Sequence, residues 1–295
     1  MSNTITQLKI GTRPSKLALK QTELVLEKLN NLPQIKKKFT FKIIKVKTKG
    51  DIDKSKILDS GYKGFFTKKI DDLLLKKKID LAVHSAKDIP SKIGNNISIA
   101  AFLKREDPRD ILLTNKNYTF DTLPQNLTIG TSSIRKKTQI HNIRPDLKIE
   151  YMRGNVETRI RKLKTNKYDA IILALAGLKR LGLSYKNKNV LNISKFIPAG
   201  GQGAIAVTIR RKDSVTNNLI KKIMGSYNKH LDIACAGGTF IGMLDQNKKS
   251  FGIDISSKQI NYAKKKYQTK NHQFLLMKKN IIKFQKNSFD VVTSL

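Results

Sequence analysis

The sequence predicts an α/β protein made of two successive strand-and-helix units, with a third and different α/β unit at its C-terminus. Three observations lead there. Short apolar runs alternate with amphipathic stretches along residues 1–222, the pattern of sheets layered with helices. Two of those runs, Asp80-Leu-Ala-Val-His-Ser85 and Leu127-Thr-Ile-Gly-Thr-Ser-Ser133, end alike, in a hydroxyl-bearing turn followed by polar or basic residues. Near residues 224–230 the character changes, and from Leu231 a strand, a glycine-containing loop, a helix and a strand follow.

Taken in order, strands are expected at residues 7–11, 41–46, 79–84, 97–102, 127–130, 149–152 and 170–175. Helices are expected at residues 15–29, 67–77, 133–142, 156–164 and 176–181. Gly61, Gly64, Pro90, Pro108, Pro124, Pro145 and Pro198 punctuate the connections. In parallel sheets ligands collect at the carboxyl ends of strands. Two such ends in two units therefore predict two domains facing one cleft.

The bulk properties narrow the function classes. A chain of 295 residues with 39% hydrophobic residues has room for two to three small cores. It contains no apolar run long enough to span a membrane, and residues 1–10 lack a signal peptide's apolar stretch, so a cytoplasmic protein with no membrane partner is expected. Cys235 is the one cysteine, which excludes an internal disulfide and any multi-cysteine metal site, and no metal is expected. The formal charge of +37 raises nucleic acid as a partner. Lysine dominates it, however, and is scattered along the whole chain, as A/T-rich coding produces. No zinc-finger, RNA-binding or basic-heptad motif accompanies it. No specific nucleic-acid binding is expected; an anionic small molecule meeting a basic cleft is.

The strand ends carry the chemistry. Arg13 and Ser15 stand where the first strand gives way to a helix, a place that favours an anion. Ser15 would serve there equally as a plain helix cap, with Arg13 solvated. The run 80–85 delivers Ser85, Lys87 and Asp88 onto a loop that Pro90 stiffens; a carboxylate beside a lysine stays ionised and stabilises a developing cation. His84 is expected to pack or hydrogen-bond. The charge cluster of residues 105–110 reads as structural, at a domain hinge. Thr131, Ser132 and Ser133 make an anion cradle at a helix start, with Arg135 and Lys136 in the first turn, where cations oppose the helix dipole unless an anion offsets them. Arg153 and Arg159 flank a similar strand-to-helix turn at Gly154, and Lys179 and Arg180 follow the strand at 170–175. Arginine is favoured for bidentate carboxylate recognition. The substrate these residues predict is a small polycarboxylate.

The runs 12–21, 80–90, 105–110, 130–136, 153–159, 168–182 and 198–204, in this order and at this spacing, resemble the porphobilinogen deaminase (hydroxymethylbilane synthase) family. The resemblance covers residues 1 to about 222. It implies two periplasmic-binding-protein-like domains with a cleft between them, domain 1 from residues 1–102 and 200–222 and domain 2 from residues 103–199. It implies a transferase of porphyrin, tetrapyrrole and heme biosynthesis that condenses four porphobilinogens, with loss of ammonia, into hydroxymethylbilane. By resemblance Asp88 is the catalytic carboxylate, stabilising positive charge on pyrrole nitrogen. Arg13, Ser15, Lys87, Thr131, Ser132, Ser133, Arg135, Lys136, Arg153, Arg159 and Arg180 would hold acetate and propionate groups. Gln202 would lie on the returning crossover, and Lys63 on a lid-like loop. A monomer is expected. One departure is Lys136, where family members commonly carry Arg; Lys keeps the charge and loses the fork.

The family's third domain holds a dipyrromethane cofactor by a thioether to cysteine, in surroundings like Leu-x-Gly-Gly-Cys. Here the glycines follow Cys235, so the cofactor is implied by the family while Cys235 is a poor match to its anchor. In place of that domain, residues 225–295 resemble the start of a class I S-adenosylmethionine-dependent methyltransferase, a partial Rossmann-like unit. Asp254, at the end of its second strand, would accept ribose hydroxyls of S-adenosylmethionine. The alternatives to the deaminase are a non-catalytic carboxylate-binding module and a methyltransferase fragment.

Overall fold

The computed structural model describes residues 5–48, 51, 64, 66–90, 93–223, 229–233, 241, 249–254, 256–277 and 291–294. The chain divides into two compact units: Met1–Pro14, Gln21–Arg105 and Ala204–Leu295 form one, Ser15–Lys20 and Glu106–Gly203 the other.

The first stretch runs β1 (Thr6–Thr12), α1 (Lys16–Asn30), α2 (Pro33–Lys36), β2 (Phe39–Lys45), α3 (Lys68–Leu75), β3 (Leu81–Ser85), a 3-10 turn (Ala86–Asp88) and β4 (Ile97–Leu103). The second unit holds β5 (Asp110–Thr114), β6 (Thr128–Gly130), α4 (Ile134–Ile143), β7 (Lys148–Glu150), α5 (Val156–Lys164), β8 (Ala170–Ala174), α6 (Leu175–Arg180) and β9 (Lys188–Val190). The chain then returns to the first unit with β10 (Ile205–Arg210) and α7 (Ser214–Lys221). It ends with β11 (Lys229–Ile233), β12 (Lys249–Asp254), α8 (Ser257–Tyr267), β13 (His272–Leu276) and β14 (Val291–Ser294).

One topology is used twice. The first sheet has the order β2-β1-β3-β10-β4 and the second β7-β6-β8-β5-β9. In each, three parallel strands come first, then one strand antiparallel to both its neighbours, then a last strand. The inserted strands, β10 and β5, sit beside the crossings between the units. This is the periplasmic-binding-protein-like arrangement. The sequence reading placed the three parallel strands of each sheet and omitted both inserted ones, although each is an apolar run.

Burial follows from this order. A strand with neighbours on both sides and covered faces reads as a continuous apolar run. In the first unit Leu81, Val83, Ile205, Val207 and Ile209 pack with Val25 and Leu29 of α1 and with Leu219 and Ile220. Ala82 and Ala206 face the other way, against Ile70 and Leu74 of α3. In the second unit Leu112, Ile129 and Ile172 pack with Ile140 of α4, while Ile111, Leu113, Ile171 and Leu173 pack with Leu163 and Leu178. Each valine, leucine or isoleucine among them, fully buried, stabilises by about 1.5–3 kcal/mol. The helices start where caps dictate: Ser133 accepts from the Lys136 amide at 3.4 Å, and Asn155 from the Thr158 amide at 2.8 Å.

The C-terminal strands form a separate sheet, β13-β12-β11-β14, parallel throughout. Ile260 and Ala263 of α8 and Phe274 of β13 are buried. Among the described residues no helix is long and apolar enough to cross a membrane.

Candidate active site

In the first unit the carboxyl ends of β1 and β3 lie side by side, because these strands pair in parallel. Arg13 leaves β1, and Asp88 closes the 3-10 turn that follows β3. The Arg13 Nη1 lies 3.9 Å from the Asp88 Oδ2, each side chain one-quarter exposed. Arg13 is held from two further sides. Its Nη2 donates to the Asp51 Oδ1 at 2.6 Å and its Nε to the same oxygen at 3.2 Å. Its guanidinium stacks 4.0 Å from the centre of the Phe66 ring. The Thr48 amide and hydroxyl donate to the Asp51 Oδ2 at 3.0 and 2.7 Å. Burial pushes the Asp51 carboxyl up, but the bonds from Arg13 and Thr48 outweigh it and leave its pKa below the usual carboxylate range.

Around these groups, Lys87 is exposed, and Ser85 shares a hydrogen bond of 2.9 Å with Gln21. His84 is buried, with its Nε2 3.1 Å from the Thr208 hydroxyl. Burial first, and the charge of Arg13 second, push its pKa down to about 4, so it is neutral at pH 7. Lys63 lies outside the described residues.

In the second unit the donors gather at the carboxyl ends of the parallel strands β6, β7 and β8. Thr131, Ser132 and Ser133 join β6 to α4. Thr131 is buried, its hydroxyl accepting from the Ser133 amide at 3.2 Å. Arg159, on α5, donates from Nη2 to the Ser132 Oγ at 3.0 Å and from Nε to the Gly154 carbonyl at 2.7 Å. Burial lowers its pKa. Arg153 bonds the Tyr151 hydroxyl, its guanidinium 5.8 Å from that ring. Two glycines permit the close turns. A Cβ on Gly130 would stand 2.9 Å from the Tyr168 ring, and Gly154 has φ +123° with Thr158 against it. Arg180 donates from Nη2 to the Gly203 carbonyl at 2.6 Å, and burial lowers its pKa. Lys179 pairs with Glu106 at 2.9 Å. Ser15, in this unit, accepts from the Ala18 amide at 3.3 Å as a cap of α1.

Two expected ligand residues bond a carboxylate of the chain itself. Lys136 is 7% exposed and its Nζ lies 3.1 Å from the Asp110 Oδ1. Arg135 donates from Nη2 to the Asp110 Oδ2 at 2.8 Å. The conflict between these cations and the helix dipole is offset by a buried carboxylate of the chain itself. Gln202, also buried, donates to the Asp110 Oδ1 at 3.0 Å and to the Pro108 carbonyl at 2.6 Å. Burial pushes Asp110 up, yet Lys136, Arg135 and Gln202 together hold it below the ordinary range. The sequence reading treated Asp110 as one of a hinge cluster; its only signal was its position at the head of an apolar run. Asp51 and Phe66 carried no signal that distinguished them.

In the C-terminal sheet Asp254 ends β12, and its Oδ1 accepts from the Ser256 amide at 2.8 Å. It is 8% exposed. Cys235 lies outside the described residues.

Fold and strand ends define the class: an α/β protein of three sheets, with arginines and the acid Asp88 just beyond the ends of parallel strands in the first two. The chain belongs to the porphobilinogen deaminase family, a family of transferases in tetrapyrrole biosynthesis. The family model described as porphobilinogen deaminase, dipyromethane cofactor binding domain, matches residues 8–218. A porphobilinogen deaminase of Rickettsia prowazekii is 49% identical over 221 residues, covering 74% of this chain and 73% of that protein. One of Rickettsia typhi is 41% identical over 283 residues, covering 86% and 93%. A second family model, a methyltransferase domain, matches residues 231–295. Among solved structures, the match to a periplasmic binding protein of Salmonella typhimurium covers 74% of this chain and 91% of that chain at 11% identity and TM-score 0.43.

Proposed function

We propose that this chain is a hydroxymethylbilane synthase, condensing four porphobilinogens with release of ammonia, and that Asp88 is its catalytic carboxylate. The observation that carries this is the Asp88 carboxylate at the end of β3, 3.9 Å from the Arg13 guanidinium. A carboxylate placed there stabilises positive charge on a pyrrole nitrogen as the aminomethyl group leaves. Arg13, Ser15, Lys87, Arg135, Arg153, Arg159, Arg180 and the hydroxyls of residues 131–133 take the acetate and propionate groups.

The donor chemistry fits the family's dipyrromethane. Arginines and hydroxyls at three strand ends suit its carboxylates, and the Nε of Arg135 is a buried donor without a partner among the described residues. Arg13, Arg153 and Arg159 would hold those groups. When bound, the dipyrromethane supplies a covalently held pair of pyrroles. Its attachment is a separate matter: the strand before Cys235, β11, lies in the parallel C-terminal sheet that matches a methyltransferase domain. We assign that segment, 225–295, as a sheet of its own beside domain 1 (1–102 and 200–222) and domain 2 (103–199): among the described residues its strands bond one another, while Ile260, Ala263 and Phe274 share a buried cluster with Val46, Ile70 and Leu74 of the first unit. The reading includes a cytoplasmic monomer acting on a small molecule, without membrane or specific nucleic-acid binding; sedimentation checks the monomer.

The test is porphobilinogen consumption by the full chain and by Asp88→Asn, with the intact mass measured. Turnover lost in Asp88→Asn supports the proposal. Equal inertness of both, with porphobilinogen still bound, leaves a carboxylate-binding module instead. A mass increase of a dipyrromethane, mapped to Cys235, locates the anchor; its absence from an active protein places it elsewhere.

A further inference from the structure

Two adjacent cations open α4, and they differ in what the fold leaves of them. The Nζ of Lys136 is committed to the Asp110 Oδ1 at 3.1 Å and to the Ile172 carbonyl at 3.0 Å, and its side chain is 9% exposed. Arg135 is 24% exposed. Its Nη2 meets the other Asp110 oxygen at 2.8 Å, and its Nη1 bonds the Gln139 Oε1 at 3.0 Å and the Ile197 carbonyl. The Asp110 side chain is wholly buried, and both of its oxygens are engaged, Oδ1 also by Gln202 at 3.0 Å. A buried carboxylate is stable only with such partners. Two positive charges and one negative leave a net single positive charge, and the partly exposed group is Arg135.

We propose that Asp110 is a positioning residue for ligand binding: it consumes the charge of Lys136 inside the domain and orients Arg135 as the one cation this turn offers to a carboxylate. Lys136 is then the internal counter-charge of Asp110. A lysine suits that role, because an ammonium satisfies one carboxylate oxygen and one carbonyl without the planar fork a ligand carboxylate calls for. The guanidinium is kept at 135, where the side chain is 24% exposed and Nη2, with one N–H on Asp110, carries a second N–H. The proposal rests on the reading that this edge binds the carboxylates of porphobilinogen.

The full chain is titrated calorimetrically with porphobilinogen as wild type, Asp110→Asn, Asp110→Glu, Arg135→Ala and the Asp110→Asn/Arg135→Ala double variant. Asp110→Asn and Arg135→Ala are each expected to weaken binding about tenfold, and the double variant no more than Arg135→Ala alone, since coupled residues are not additive. Asp110→Glu is expected to recover part of the loss. Additive losses, or an Asp110→Asn affinity equal to wild type, overturn the proposal and leave the functional reading standing. Failure of the wild type to bind porphobilinogen overturns both. A measurement on the wild type covers the case in which Asp110→Asn does not fold. Under mild acetylation and phenylglyoxal treatment, Lys136 is expected to stay unmodified, and Arg135 to react and be shielded by porphobilinogen. Acetylation of Lys136 that porphobilinogen blocks overturns the proposal.

Discussion

Asp51 holds the guanidinium of Arg13 with a 2.6 Å bond to Nη2 and a 3.2 Å bond to Nε, across 38 residues of sequence. The arginine nearest to Asp88 is thereby fixed in direction by one acid while it faces another. Its position is set by a fork, a ring beneath it and the end of a strand.

Arg13→Lys keeps the charge and loses both the fork and the stacking on Phe66. It is expected to lower stability by about 1–2 kcal/mol, read from the urea midpoint at pH 7. Since the pKa of Asp51 is lowered by folding, its contribution is full above the unfolded value of about 4 and is lost as pH falls through the folded value. Asp51→Asn is therefore expected to flatten the acid limb of the stability profile. An unchanged limb would show that Asp51 contributes nothing there.

His84 titrates near 4 in the folded chain, against about 6.5 when unfolded. The unfolded state therefore binds more protons between these values, and stability falls as pH drops from about 6.5 to 4, by on the order of 3 kcal/mol. His84→Gln, which keeps an amide within reach of Thr208, is expected to lose that slope. Denaturation at pH 4.5 and 7 in both proteins measures it.

Asp71, on α3, has the opposite sign. Burial, with repulsion from Asp72, raises its pKa to about 7. Its favourable neutral form is available below the unfolded value of about 4, and that advantage is lost as pH rises through 7. Asp71→Asn is expected to stabilise the protein at pH 8, by on the order of 2 kcal/mol, and to change little at pH 4. Equal effects at both pH values would refute this.

Gly154→Ala is expected to cost about 1–3 kcal/mol, because φ is +123° and the new Cβ would stand 2.6 Å from the Thr158 Cγ2. The turn carries Arg153 and accepts from Arg159, so porphobilinogen affinity should fall with it. Thermal unfolding and titration of the same sample separate the two losses.

Much of the architecture was legible in local pattern. The helix at 156–164 forms over those residues, and β1, β3, β6 and β8 lie within two residues of expectation. Periodicity and caps act over a few residues, so a linear reading finds them. The strand ends bearing Arg13, Asp88, Arg135, Arg153 and Arg159 were visible for the same reason: each is a change from an apolar run to a turn with a basic residue. β5 and β10 escaped, since each begins just after the chain passes from one unit to the other, and their antiparallel insertion is settled by pairing with β8 and β3, strands distant in sequence.

By itself the sequence determined the class of elements, the family and the residues that end the strands, because motif order and hydrophobic spacing are properties of the chain. Only the tertiary structure decided which of those charges are spent internally. Lys136 and Arg135 read alike in sequence, adjacent and basic. The buried carboxylate of Asp110, brought to them by a strand 25 residues earlier, is what separates them. An ion pair needs two groups within a few ångströms, and sequence distance carries no information about that.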